Sequence, residues 1–277
     1  MECAKFYKIN LIILILFFNY YFGQNYRIDY QMSYKPDSSQ SDFKTKNMVL
    51  LLKDNKSKFL SLNQYKNDSL FIIKNKENNY FVKNSDYEFM TINDYSQRKI
   101  YKFTNLLRDI YRTKSDMPSF DWKITNETKK IDDYTCQKAI LNYSNRTWEA
   151  WFTADIPIHS GPYVFGQLPG LILEIKDNKN NYIFILTSII GDEGFDIDLI
   201  STKFLDVSNN QLNKLKIDYY RDPYKEMKSG QIKVRWQDEN GVEFKPNYIE
   251  LTKMEQQNIK NNNNPIELFD IINYSNN

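Results

Sequence analysis

Apolar residues occupy alternate positions from residue 26 to residue 34, and polar residues such as Arg27 and Asp29 fill the positions between them. A period of two places successive side chains on opposite faces of an extended chain. The segment therefore predicts a half-buried β-strand. Residues 47–53 and 58–62 flank the polar residues 54–56 and predict a hairpin, and weaker strand patterns lie at residues 70–74, 80–83, 87–92 and 99–103.

The central region predicts another hairpin, formed by residues 134–143 and 147–153. If Asn145 and Arg146 make a two-residue loop, the apolar side chains of both strands share one face. The expected pairs are Tyr143 with Trp148, Leu141 with Ala150, and Ala139 with Phe152. A slip of one residue would divide this apolar face between the two sides of the sheet.

The opposite face of this hairpin is mixed in character. It carries Ile140, Trp151, Asn142, Glu149, Lys138 and Thr153. A face that met only water would not need both an isoleucine and a tryptophan, whereas an apolar surface edged by a few polar groups is the usual composition of a small-molecule site. We therefore expect Ile140, Trp151, Glu149 and Lys138 to border a ligand groove. The alternative is that a late helix at residues 252–259 covers this face.

A third hairpin is predicted from residues 171–176 and 182–190, with Ile175 opposite Phe184 and Leu173 opposite Leu186. Helical patterns are short and late: residues 211–217 after Ser208 as N-cap, a helix opened by Asp222-Pro223 and ended at Gly230, and a capping box beginning at Thr252. The fold class that follows is mainly β. We expect a curved antiparallel sheet, either an open half-barrel or a sandwich, with a few short helices.

The N-terminus has the pattern of a secretory signal. Lys5 and Lys8 precede an apolar core at residues 11–18, and the small Gly23 precedes polar residues. That core is too short for a membrane-spanning helix, which needs roughly 20 apolar residues. Residues 1–23 therefore predict a cleaved signal peptide, and residues 24–277 a single β-rich domain that is exported to the periplasm or beyond. The mature chain is then not transmembrane.

The charge pattern argues against a nucleic-acid-binding protein, and the cysteine content argues against a fold held by disulfides. The formal net charge is +2, with both signs interspersed, so the chain lacks the clustered basic face that nucleic-acid binding requires. Cys136 is the sole cysteine beyond the predicted signal, so the mature chain cannot form an internal disulfide and its fold depends on its core. The oligomeric state is not determined by the sequence.

Three groups of residues could carry chemistry. His159, the single histidine, is followed by Ser160 and could form a hydrolase dyad, but neighbouring residues of an extended loop point in different directions and a triad needs convergence. Cys136 could be a nucleophile or a redox residue, although a free cysteine is usually a small buried apolar residue. Asp192, Glu193, Asp196 and Asp198 could bind calcium, but they lack the twelve-residue loop pattern. We therefore expect no catalytic residues, no metal and no cofactor.

The chain between the second and third hairpins ends in Leu168-Pro169-Gly170-Leu171-Ile172. Proline presets φ at the second position of a turn and glycine supplies a positive φ at the third, so residues 168–171 predict a type II turn. The preceding loop lacks the glycine spacing and the following helix of a phosphate-binding loop. We expect these five residues to be a structural motif.

With this motif the chain closely resembles the GLPGLI family of exported bacterial proteins, over about half of the mature chain. The resemblance includes Trp122-Lys123-Ile124-Thr125, Cys136-Gln137-Lys138-Ala139, residues 146–152, Asp155-Ile156-Pro157, Gly161-Pro162, residues 168–172, and Asn264-Pro265-Ile266-Glu267-Leu268. One departure is Gln167, which stands where the family has its first glycine. The resemblance implies export and a shared β fold, and it implies no established activity.

Two classes of function follow from these patterns. The first, favoured by the abundant aromatic residues, is a non-catalytic binding module of the cell envelope for a hydrophobic small molecule or an envelope protein. The second is a periplasmic hydrolase or redox enzyme that uses His159 or Cys136. The region around residue 170 also resembles, in pattern and expected architecture, the exported lipoprotein carriers whose half-barrels hold acyl chains; fold alone does not transfer function.

Overall fold

A computed structural model describes residues 25–75, 86–106, 109–191 and 194–274. Its strands are β1 Tyr26–Tyr34, β2 Lys44–Lys53, β3 Lys56–Ser61, β4 Thr91–Asp94, β5 Lys99–Leu106, β6 Asp109–Asp116, β7 Lys123–Ile131, β8 Tyr134–Tyr143, β9 Arg146–Thr153, β10 Leu171–Asp177, β11 Tyr182–Gly191 and β12 Leu205–Asp206. The helices are α1 Leu62–Asn75, α2 Asn209–Arg221, α3 Lys225–Lys228 and α4 Tyr248–Asn261, with a 3₁₀ turn at Leu268–Asp270.

All of these strands belong to one open sheet, in the order β12-β6-β5-β4-β3-β2-β1-β11-β10-β9-β8-β7. Neighbouring strands are antiparallel except for β12, which pairs with β6 in parallel. The predicted mainly β, antiparallel architecture is confirmed. Of the two architectures expected, the described strands form a single sheet and not the two packed sheets of a sandwich.

The sheet is strongly curved. The evidence is one side chain that contacts two strands lying far apart in the strand order. Lys102 of β5 and Tyr143 of β8 both contact the carboxylate of Glu267. Eight strand steps separate β5 from β8 in the sheet order, which would be roughly 38 Å in a flat sheet at about 4.8 Å per step. Glu267 therefore lies on the concave side, and its segment spans the opening between the two ends of the sheet.

The two faces of the sheet have separate cores. Met48, Leu50, Tyr30, Trp148 and Phe184 belong to the concave core, and Val49, Leu51 and Leu60 to the convex core. The loop of residues 154–170, here the plug loop, fills the concave face with Tyr163, Val164, Phe165 and Leu168. Helix α1 and residues 195–204 lie against the convex face. The bowl of the sheet is thus occupied largely by the chain's own side chains.

The hairpin of β8 and β9 has the predicted faces, but the predicted register was wrong. Ser144 and Asn145 form the two-residue loop, with φ of 52° and 59°. Positive φ at both loop positions is the type I′ geometry that matches strand twist, and asparagine tolerates it. Leu141 consequently pairs with Trp148 and Ala139 with Ala150. The shift equals two positions, so every side chain keeps its expected face.

The other strand predictions have mixed outcomes. The strand at 26–34, the hairpin of β2 and β3, the strand beginning at residue 99 and the pair Ile175–Phe184 are confirmed. The strand expected at residues 70–74 is wrong, because these residues continue helix α1. In the expected strand at 87–92, pairing begins only at Thr91. The expected strand at 80–83 and the signal peptide at 1–23 lie outside the described residues.

Helix positions depend on which cap the chain uses. Ser208 caps α2 in a capping box with Gln211, as predicted. The other two starts were wrong: α3 begins at Lys225, after Tyr224, and α4 begins at Tyr248, where the Asn247 side chain accepts bonds from two backbone amides. Asparagine is among the strongest N-caps. It therefore starts α4 earlier than Thr252 would.

The turn at Pro169-Gly170 is also not the expected type II turn. The Gly170 amide donates to the Leu168 carbonyl at 2.8 Å, and the Leu171 amide donates to Ile156 instead of closing a four-residue turn. Gly170 has φ of 156°, and a Cβ placed on it would lie 1.9 Å from the Thr153 carbonyl oxygen. Glycine is needed here because the plug loop passes against the end of β9.

Gln167 stands at the position where the resemblance would place a glycine. Its φ is 67°, in the left-handed region that glycine adopts most easily. Its side chain donates to the Pro118 carbonyl at 2.9 Å and accepts from the Phe120 amide at 3.1 Å. These two hydrogen bonds offset the backbone cost of a non-glycine residue.

Candidate functional site

The face predicted to border a ligand groove is covered with charge in the structure. Trp151 is 9% exposed, and the Nζ atoms of Lys129 and Lys138 lie 4.5 and 5.8 Å from its ring centre. Lys138 pairs with Glu149 at 3.0 Å, and Ile140 is half-buried opposite Glu149. Cation–π contacts and ion pairs account for a tryptophan on this face. A ligand groove on this face therefore remains a prediction. Helix α4, which contains the residues expected as the alternative cover of this face, packs against α2.

His159 is held by the plug loop. Its Nδ1 lies 2.8 Å from the Leu168 carbonyl oxygen, so this nitrogen is the protonated one and donates. The neighbouring Ser160 is buried, and its hydroxyl is 3.3 Å from the Tyr95 hydroxyl. The described contacts of His159 and Ser160 therefore join parts of the scaffold.

Cys136 is fully buried in the concave core. Burial raises the pKa of its thiol above the ordinary value, and the nearby Lys129 only partly opposes this. A thiol with a raised pKa is mostly protonated at neutral pH and is a weak nucleophile.

The acidic residues considered for calcium do not form a described cluster. Asp192 and Glu193 lie outside the described residues. Asp198 pairs with Lys56 at 2.6 Å, and Asp196 accepts from the Asp198 amide at 3.0 Å. Among the residues that the structure describes, no three His, Cys, Asp or Glu side chains are placed to hold one metal ion.

A cavity of about 690 Å³ lies at the opening of the curved sheet. We call it the mouth cavity, and define it by Tyr34, Phe89, Lys102, Lys216, Glu267 and Asp270. Its lining comes from β1, β2, β5, β11, residues 86–90, the plug loop, α2, α4 and the C-terminal segment. Sequence patterns did not indicate it, because the lining residues come from segments distant in the chain.

One wall of the mouth cavity is aromatic. The Tyr34 and Tyr182 rings are stacked with centroids 5.9 Å apart, and Phe89 meets Tyr34 edge-on at 5.0 Å. Phe89 has φ of 64°, and Tyr163, also in the lining, has φ of 58°. Positive φ is costly for a bulky aromatic residue, and such strain is concentrated at ligand sites. Both aromatic residues with positive φ among the described residues border this cavity.

Another part of the lining contains a buried carboxylate. Glu267 is 1% exposed, and it accepts hydrogen bonds from the Tyr143 hydroxyl at 2.7 Å and the Tyr163 hydroxyl at 3.3 Å. The Lys102 ammonium pairs with its other oxygen. Burial and the adjacent Glu267 charge raise the pKa of both tyrosines. These hydroxyls therefore stay protonated and donate.

Two further charged groups line the cavity beside this carboxylate. Burial lowers the pKa of Lys216, with Asp270 opposing and Lys102 reinforcing the shift. Burial raises the pKa of Asp270, with Lys102 opposing it, Glu267 adding to it and Lys216 opposing it. Perturbed ionisable groups in a cavity are a recognised indication of function.

Arg146 fixes the segment that carries Glu267. Its guanidinium is buried and donates to the Ile266 carbonyl at 2.9 Å, the Pro265 carbonyl at 2.8 Å, the Asn264 side chain at 2.6 Å and Asp177 at 2.9 Å. The rigid, multidentate guanidinium suits such a clamp. In the sequence, this segment stands out only as the Asn264–Leu268 motif of the family resemblance, which does not indicate its partners.

A second, smaller cavity of about 240 Å³ lies on the convex face beside α1. Next to it is the convex network of Lys58, Gln64, Asp68, Tyr87 and Ser201. Lys58 is 1% exposed and donates to Asp68 at 3.3 Å and to the Leu199 carbonyl. Gln64 donates to Asp68 at 2.7 Å and lies within 3.2 Å of the Tyr87 and Ser201 hydroxyl oxygens. Each of these polar groups has a partner within the protein.

Comparison with known proteins identifies a family. Residues 30–210 match the PNGase F-II N-terminal family model, described as N-glycanase peptide, N-terminal domain. None of the curated proteins matches the chain significantly. No helix in the described ranges is long and apolar enough to cross a bilayer.

Similar solved structures include PNGF-II in the P21 and C2 space groups. Both are 20% identical to this chain with TM-scores of 0.48, and the match covers 70% of this chain and 33% or 32% of PNGF-II. The chain thus spans about a third of the length of PNGF-II. A LolA superfamily protein from Nitrosomonas europaea is 9% identical with a TM-score of 0.27, covering 64% of this chain and 90% of that protein.

Proposed function

The chain belongs to the family of N-glycanase peptide N-terminal domains, and from this premise we propose that it is a non-catalytic binding domain whose ligand enters the mouth cavity. The observation that carries the proposal is the composition of that cavity. Aromatic rings and carboxylate, ammonium and amide groups together line a cavity of about 690 Å³. Concave sites with apolar surface and a few oriented polar groups are the usual form of ligand pockets.

A glycan is the ligand class that fits both the aromatic and the polar residues of the lining. A sugar ring has an apolar C–H face, which can stack on Phe89, the partly exposed ring of the aromatic wall, and hydroxyl groups around its edge. The side chains of Asn262 and Asn263 line the cavity, and their carbonyl oxygens can accept from such hydroxyls, whereas their amide groups already donate to Asn258 and Ile272. The family name supports this choice, because an N-glycanase acts on N-glycans.

The predictions from the sequence about export, domain bounds and partners are part of the proposal. We propose export, with residues 1–23 as signal peptide, residues 24–277 as one domain, and a location in the periplasm or outside the cell. Membership of the GLPGLI family is compatible with this. The predicted hydrophobic small molecule would use the aromatic wall, and an envelope protein is the other proposed partner.

An enzyme that uses His159 or Cys136 has less support. Nδ1 of His159 is engaged by the Leu168 carbonyl, and burial raises the pKa of the Cys136 thiol. Neither arrangement supplies an activated nucleophile with a base in reach.

Glycan-array screening of the purified protein, followed by isothermal titration with the tightest glycan, tests the proposal. Phe89→Leu should weaken binding about threefold to tenfold, since an aromatic contact contributes about 0.5–1.5 kcal/mol. The matched control is Phe43→Leu, since Phe43 is 46% exposed and not part of the lining; it should bind like wild type. Absence of any glycan binding, or equal losses in both variants, would contradict the proposal.

A further inference from the structure

Lys216 differs from the other lysines that line the mouth cavity. Lys44 donates to the Asn262 side chain at 3.2 Å, and Lys102 pairs with Glu267. Lys216, on helix α2, has neither a hydrogen-bond acceptor nor an ion-pair partner among the residues that the structure describes. Its side chain is partly buried and interacts with Asp270 only through the electrostatic field.

A partly buried ammonium without a protein acceptor has lost part of its hydration and keeps its hydrogen-bond donors unused. Such donors normally find an acceptor, because removing an ammonium from water has a cost. The convex network shows how the same chain treats a lysine that is only structural: Lys58 has both a carboxylate and a carbonyl as acceptors. A lysine left without an acceptor beside an open cavity is therefore available to a ligand.

We propose that the glycan bound in the mouth cavity carries an anionic group, and that Lys216 binds this group. The inference rests on the proposed function and specifies its ligand. A carboxylate of an acidic sugar and the phosphate of a sugar phosphate share this chemistry. Lys102 is excluded as the main anion-binding residue because Glu267 already occupies it.

The charges around Lys216 determine how selective the site is. Glu267 is neutralised by Lys102, and Tyr143 and Tyr163 direct their hydroxyl protons toward it. Asp270 is the remaining carboxyl that acts on Lys216. Burial raises the pKa of Asp270, and its carboxylate makes no ion pair with Lys216 among the described residues, so the donors of Lys216 are not taken.

Isothermal titration with pairs of ligands that differ in charge tests the inference. One pair is the trimer of galacturonic acid and its fully methyl-esterified form; the other is mannose 6-phosphate and mannose. Wild-type protein should bind the charged member of at least one pair about tenfold or more tightly, since hydrogen bonds to charged groups contribute about 1.5–3 kcal/mol. The pair that shows the difference identifies the anion as carboxylate or phosphate.

The variant Lys216→Met, which keeps an apolar side chain of similar length, should remove this preference. The matched control is Lys214→Met, because Lys214 lies on the same helix and is exposed; it should keep the preference. Circular dichroism of both variants establishes that they are folded.

Four results would overturn the inference. Equal binding of charged and neutral members by the wild type, or a preference that persists in Lys216→Met, contradicts the role of Lys216 but leaves a glycan site in place. Binding of a neutral array glycan without binding of either anion also contradicts the role of Lys216 and leaves a glycan site in place. If no glycan binds at all, both the proposed function and the inference are contradicted.

Discussion

The mouth cavity and the convex network both bring a lysine near a carboxylate, yet they differ in how completely the polar groups are paired. In the convex network, Lys58 contacts Asp68 and a backbone carbonyl, and the other oxygen of Asp68 accepts from Gln64. In the mouth cavity, Lys216 and Asp270 have no such direct bonds among the described residues, although Glu267 nearby has three donors.

This difference distinguishes a structural network from a binding site. A fully paired buried network fixes a unique packing and offers nothing to a ligand. A partly paired cluster beside a cavity keeps hydrogen-bonding capacity that only a ligand can use. Perturbed pKa values occur in both places, since burial lowers the pKa of Lys58 as well as that of Lys216. The pKa alone therefore does not identify the site, whereas the pairing does.

The largest expected effect is on the convex side. Lys58→Met leaves the buried Asp68 without its cation and should lower the free energy of unfolding by about 3–5 kcal/mol. The matched control is Lys56→Met, whose ion pair with Asp198 is exposed to solvent and should contribute at most about 1 kcal/mol. Urea denaturation measures both. A similar loss in the two variants would remove the distinction between a structural pair and a surface pair.

The plug loop, which contributes Tyr163 to the lining of the mouth cavity, should be nearly as sensitive. In Gly170→Ala the new Cβ would meet the Thr153 carbonyl, so the loop must move and stability should fall on the order of 3 kcal/mol. Gly194→Ala is the control, because nothing lies within 4 Å of a Cβ at that position. An unchanged urea midpoint for Gly170→Ala would show that the plug loop does not press against β9.

A smaller, pH-dependent effect is expected at Asp270. Burial raises the pKa of Asp270 in the folded protein, with Glu267 adding to the shift and Lys102 and Lys216 opposing it. The folded state therefore holds this proton more tightly than the unfolded state, and the contribution of Asp270 to stability falls as pH rises from about 4 through the raised pKa. Asp270→Asn removes this titration, so its stability relative to wild type should increase from pH 4 to pH 7. Urea denaturation at several pH values would contradict this if the difference were constant.

The smallest effect on stability is expected for Lys216→Met. Because the ammonium has no acceptor, its loss should change the free energy of unfolding by no more than about 0.5 kcal/mol or raise it slightly. Lys58 is therefore expected to be needed for folding, whereas Lys216 is not. A loss of several kcal/mol in Lys216→Met, measured by urea denaturation, would make Lys216 a structural residue like Lys58.

The sequence predicted local structure better than it predicted the site. The strand at 26–34 and the Ser208 cap follow from patterns within a few residues, and both are confirmed. The register of β8 and β9 was missed because Ser144-Asn145 makes a type I′ turn without the glycine that usually marks it. Residues 70–74 were assigned to a strand because a short apolar run does not distinguish strand from helix.

The mouth cavity could not be predicted from one sequence. Lys102, Lys216 and Glu267 belong to a strand, a helix and an irregular segment, and only the curvature of the whole sheet brings them together. Glu267 lies within the motif at 264–268, but its neighbours Tyr143 and Lys102 are more than a hundred residues away. Local periodicity contains no information on such contacts.

Hydrogen–deuterium exchange with and without the tightest glycan from the array shows directly whether the ligand binds in the mouth cavity. If the mouth cavity is the binding site, saturating glycan should slow exchange in residues 86–90 and 258–270, which contribute to its lining. Exchange in residues 57–68, which contain Lys58 and Asp68, should not change. Protection confined to residues 57–68, or no protection at the mouth cavity under saturating ligand, would contradict the account.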